Sequence, residues 1–209
     1  MYKKIVIMIL SVVMGAGLIW AAEPATKPSV MPFYLNVAFY TASFQPIYTK
    51  TASVVGAPME ANKWGHFECA INKANLDYVG TGGSLKGFSA FRIQTKTKKE
   101  NQVVAIYIDN VKLADAAGAA IFDVNFEDGN NHGFFMSAGS PLPDMGKVVD
   151  LDGKKCFLLT AYTKNVYNNV QAETSWNIAD LAGDPAMKTV DLTDGAHVVS
   201  FDYYIKVTE

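Results

Sequence analysis

The stretch "AIYIDNVKLADAAGAAIFDVNFEDG", Ala105 to Gly129, decides how the rest of this 209-residue chain is read. It begins inside "VVAIYIDNV", a run apolar enough for a central strand of a sheet. It ends on "NFEDG", where a strand gives way to Asp and Gly, residues that belong in turns. Between the two, "KLADAAGAA" has helix-forming alanines but is short and broken by Gly118. It reads as a small, flexible connection between two strands.

Working outward, strand follows strand. "FYLNVAFYTAS" sets Phe33, Leu35, Val37 and Phe39 against Tyr34, Asn36, Ala38 and Tyr40. "GFSAFRIQTK" sets Phe91 and Ile93 against Ala90, Arg92 and Gln94. "HVVSFDYYIKV" sets Val199, Phe201, Tyr203, Ile205 and Val207 against Ser200, Asp202, Tyr204 and Lys206. Period-two alternation means strands with one buried face. "KKCFLLTAY" is more continuously apolar, and "GTGG", "PLPDMG", "DLDGKK" and "LTDGAH" punctuate the strands as turns. Apart from those alanines, the helical signal is one turn in "WNIADLAGDPAMK", before Pro185. Many short strands with regular turn signals predict an all-β fold, a sandwich or jelly roll of two antiparallel sheets.

The first residues are expected to lie outside that fold. "MYKK" is basic, "IVIMILSVVMGAGLIW" apolar, and "AAEPATKPS" small and helix-breaking, the order of a secretory signal peptide. Residues 1–22 are read as the leader, cleaved after Ala22, 23–30 as a linker, and 31–209 as one domain. Export to the outside or the cell surface follows, with no membrane attachment after cleavage. Without Lys3 and Lys4, the 18 basic residues fall to 16 against 20 acidic ones. That mild acidity, with no basic stripe, gives nucleic acid no electrostatic footing. Lys96 to Lys99, "KTKK", reads as a solvated hairpin tip. Cys69 and Cys156 allow one disulfide after export, and their spacing says nothing about whether it forms.

Two blocks resemble a jelly-roll, galactose-binding-like carbohydrate-binding module of the type attached to bacterial xylanases and glucanases. Residues 120–209 look like the first half of that module, through "FDVNFEDGNNHGFF", "VVDLDGKKCFLLTAY" and "HVVSFDYYIKV". Residues 31–114 look like its second half, through "FYLNVAFYTAS", "KWGHFECAI", "LKGFSAFRIQTK" and "VAIYIDNVKL". The halves stand in reverse order. A circular permutation accounts for this, with "ADAAGAA" joining the old ends and new ends opened at an exposed turn. The other account is a truncated tandem array, the tail of one module and the head of the next, which would expose sheet edges. The single permuted domain, a monomer, is the expectation.

The resemblance also implies a site. It places a structural calcium where the opening strand meets the closing one, with Glu127 and Asp109 as carboxylate ligands and Asp128 and the Gly129 carbonyl as looser candidates. It implies a glycan ligand on a concave sheet, where aromatic rings stack on sugars and planar polar groups bond hydroxyls. Tyr34, Asn36 and Tyr40 on one strand and Arg92 and Gln94 on its neighbour are the candidates, with Trp176 a further one. Arg92 is the chain's only arginine, a rigid fork of donors suited to vicinal hydroxyls or a carboxylate. Trp64 reads better as packing at a sandwich edge. His66, His132 and His197 are scattered, with no HExxH or GxSxG motif, so no catalytic activity is expected. The competing expectation is a structural or adhesive surface sandwich without sugar affinity.

Overall fold

Leu35, Val37 and Phe39 are buried in the core, while Asn36, Ala38 and Tyr40 point out of it, so β1 (Tyr34–Thr41) follows its alternation. The structure, a computed structural model, describes residues 34–51, 55, 59–96, 103–134, 146–162 and 177–208. The proposed leader, the linker and Trp176 lie outside the described residues. β1 pairs antiparallel with β2 (Pro46–Thr49) and with β5 (Phe88–Lys96). With β4 (Leu76–Val79) at its edge, this sheet has the order β4-β2-β1-β5.

The second sheet is built around β6 (Val103–Ala114), the apolar run that opened the reading. β10 (Val198–Thr208) lies along one side of it, and β3 (Trp64–Ala70) lies beyond β10. On the other side β6 pairs with β9 (Lys154–Tyr162) near its start and with β7 (Ala120–Val124) near its end. β8 (Lys147–Leu151) closes that edge. Every one of these ladders is antiparallel, and the chain is an all-β sandwich of two sheets. One core joins Leu35, Phe39 and Phe91 from the first sheet to Ile108, Phe157, Phe201 and Ile205 from the second. Both halves of the chain therefore share it.

Within β6 the apolar positions change parity, from Ile106 and Ile108 to Val111 and Leu113, all fully buried. A β-bulge resolves the conflict: Asp109 faces Asp202 while Lys112 faces Ser200, so one extra residue is absorbed. Asn110 takes it up in the left-handed region, φ 50°, which Asn tolerates better than most residues.

The connection "ADAAGAA" is not the flexible linker that composition implied. It is a closed hairpin turn between β6 and β7, with Leu113 facing Phe122. The Asp115 carboxylate accepts from the amides of Ala117 and Ala119, both at 2.9 Å, and Gly118 supplies φ 81°. A short acceptor side chain and a glycine at the required dihedral stiffen what the alanines alone would leave loose. The short α-helix α1 (Ile178–Ala182) falls where one turn was expected. Asn177 caps its start and Gly183, φ 64°, ends it.

Both cysteines are free thiols and buried. Cys69 sits on β3 and Cys156 on β9, with β10 and β6 between them, so no disulfide links the two. Burial pushes Cys69 up to about 11 and Cys156 up to about 12, the latter helped by the Asp109 charge.

Candidate functional site

The register of the four-stranded sheet brings the sequence candidates together. Asn36 faces Gln94, Ala38 faces Arg92, and Tyr40 faces Ala90, all on the surface turned away from the core. Ala38 also faces Tyr48 on β2, and Tyr48 faces Tyr78 on β4. Small alanines at 38 and 90 leave room for larger neighbours to lie over them. The Arg92 guanidinium stacks over the Tyr40 ring, 4.3 Å from its centroid. Gln94 Nε2 donates to the Tyr40 hydroxyl at 3.3 Å, and the Tyr40 and Tyr48 hydroxyls share a hydrogen bond of 2.9 Å. Burial, then that bond, raises the Tyr48 phenol well above its usual range.

An aromatic row results. Tyr40 meets Tyr48 edge-on with centroids 6.1 Å apart, and Tyr48 meets Tyr78 at 5.9 Å. Tyr40, Arg92 and Gln94 are not open to solvent, at 7%, 5% and 1% exposure. Alternation predicted their direction correctly, but direction is not exposure: they cover one another at the buried end of the row. The accessible end is Tyr78, 55% exposed, with Tyr48 half-buried beside it. The sequence reading missed both, because "PIYT" and "LDYV" are four-residue strands, too short for alternation to declare a face. Asn36 is half-buried, its amide 3.4 Å from the Thr49 carbonyl. Tyr34 is the first residue of β1, facing Lys96, and its side chain is outside the described set.

The metal candidates lie at the other sheet. Asp109 is 1% exposed, and its Oδ2 forms an ion pair with Lys154 Nζ at 2.8 Å. Glu127, Asp128 and Gly129 lie on an exposed loop held at both ends by buried rings, Phe126 and Phe134, each packed on Phe157. The Glu127 carbonyl accepts from Lys155 Nζ at 2.9 Å. Asp128 turns into its own loop, accepting from the Asn130 amide at 2.8 Å, with His132 Nε2 at 3.2 Å. That amide, foremost, holds the Asp128 carboxyl below its usual range. Among the described residues no group of three or more His, Cys, Asp or Glu side chains is arranged to hold a metal ion. The donor set does not fit the calcium that the resemblance implies.

The outer face of the six-stranded sheet carries a second aromatic row. Trp64, on the outermost strand as expected of edge packing, lies 5.6 Å from Tyr204, which lies 6.3 Å from Tyr107. Beside it Asp202 meets His66 Nδ1 and accepts from Asn110 Nδ2, both at 2.7 Å. His197 is buried, its Nδ1 accepting from the Thr193 amide at 2.9 Å in the turn before β10.

Compared with known proteins, the chain matches no family model, no curated protein and no solved structure. Among the described residues no helix is long and apolar enough to cross a membrane.

Proposed function

We propose that this chain is an exported, non-catalytic sandwich that binds glycan on the outer face of its four-stranded sheet. The observation that carries the reading is the row Tyr40–Tyr48–Tyr78, anchored at its buried end and open at Tyr78. A pyranose has an apolar face that covers an aromatic ring and leaves equatorial hydroxyls at the edge. Tyr78 offers the ring, and the Tyr48 hydroxyl beside it offers a polar partner. Arg92 and Gln94 act from below, holding Tyr40 and through its hydroxyl Tyr48. Arg92 is therefore a positioning residue, and the ligand it implies is not a uronate gripped by its fork. The permuted order of the halves belongs to the same proposal, supported by the hairpin that joins them in one ladder.

A second reading has its own support. The burial of Arg92 and Gln94 favours a structural or adhesive sandwich, whose polar outer face is packed rather than poised for a ligand. Affinity-gel retention on a panel of polysaccharides separates the two. Tyr78→Ala is expected to lose about 1–3 kcal/mol of retention, the scale of a stacking anchor, while Tyr78→Phe keeps it. Both variants should melt like the parent, since Tyr78 is largely exposed. Parent and Tyr78→Ala behaving alike on every gel would favour the structural reading.

A further inference from the structure

We infer that two lysine ammonium groups, those of Lys154 and Lys155, do the work of a metal ion at the corner where β6, β7 and β9 meet, so that this sandwich is independent of calcium. A calcium ion needs several hard oxygen donors turned towards one point. Here the oxygens around the corner are turned to different partners. Asp109 Oδ2 faces Lys154, the Glu127 carbonyl faces Lys155, and Asp128 faces its own loop. A Cβ built on Gly129 would come within 3.6 Å of Lys155 Nζ, so the same ammonium fills the space beside that glycine too.

Lys154 is the stronger of the two substitutions. Asp109 is the one buried carboxylate among the described residues, and its Oδ1 is enclosed without a hydrogen-bond partner. Lys154 is then the principal compensation for that charge. Its Nζ also lies 4.2 Å over the Trp64 ring, whose negative face favours a cation. Carboxylate and indole thus receive a covalently tethered cation, held in place without cost in free-ion concentration. A divalent ion at Asp109 would first have to displace it. That the two lysines are adjacent explains how one dipeptide serves both sides of the corner, because successive strand residues point to opposite faces. Sugar binding plays no part in this arrangement.

Thermal unfolding of the full chain tests it. The midpoint is expected to be the same in EDTA and in millimolar calcium chloride, and a saturable rise with calcium would overturn the inference. Lys154→Met keeps the aliphatic stem against Trp64 but removes the charge, leaving Asp109 buried and unpaired. Its midpoint should fall by about 10 °C, the scale of a broken buried pair in a chain of this size. An unchanged midpoint would also overturn it. Should Lys154→Met yield no folded protein, the double variant Asp109→Leu/Lys154→Met, which removes both charges, is expected to fold again. Failure of the double variant as well would count against the pair.

Discussion

Tyr40 carries the outer face of the four-stranded sheet: Arg92 lies on its ring, and Gln94 and Tyr48 meet at its hydroxyl. Truncation there should cost far more stability than truncation at the open end of the same row. Tyr40→Ala is expected to lower unfolding free energy by about 3 kcal/mol, as a large buried ring does, and Tyr78→Ala by less than about 0.5 kcal/mol. Urea unfolding of both variants checks this, and equal losses would mean the row is not anchored where we place it. Gly65 is a second residue whose role lies in what touches it. A Cβ there would come within 2.5 Å of the Tyr203 ring, itself packed in the core. Gly65→Ala should therefore destabilise by about 1–3 kcal/mol, as overpacking does, although the backbone allows alanine. The direction of Tyr40 and Arg92 was legible in alternation, whereas their burial and the crowding at Gly65 depend on residues distant in sequence.

The decisive element is the β6–β7 hairpin. Composition made "ADAAGAA" a loose connection; the side chain of Asp115 and the dihedral of Gly118 make it a turn. Gly118→Ala places a Cβ at φ 81°, and Asp115→Ala removes the acceptor of two amides. Each should cost about 1 kcal/mol in thermal or urea unfolding. A passive linker would tolerate both. The bulge in β6 is a similar case. The parity change between Ile108 and Val111 is written in the sequence, but it can be read as a bulge only when β10 supplies the partner register.

At the scale of the whole molecule, burial of weak acids gives stability a pH dependence on the alkaline side. Cys69 and Cys156 are raised from 9.0 to about 11 and about 12, and Tyr48, Tyr107 and Tyr203 are raised from 10.0, each chiefly by burial. The folded state thus holds protons that the unfolded chain releases from about pH 9 upward. Stability is fully present below that pH and is lost as pH rises through the folded values. The melting midpoint should be flat in this respect up to about pH 9 and then fall, more steeply beyond pH 10. A midpoint that held level to pH 11 would show these groups to be solvated. The same burial predicts that neither thiol reacts with an alkylating reagent at neutral pH unless the chain unfolds.

What the sequence determined by itself is local. Period-two alternation assigned the inward and outward sides of β1, β5 and β10, because side-chain direction in a strand depends on parity alone. Turn residues divided the chain into strands, and one helical turn was expected before Pro185, where Ile178–Ala182 forms. What only the tertiary structure decided is pairwise. It set which strands neighbour one another and which outward side chains another layer covers. It joined Tyr40 to Arg92 and Tyr48, and it gave Asp109 an ammonium group as its partner. The reason is physical: a residue's parity is its own property, but its exposure and its charge partner belong to whatever the fold brings beside it.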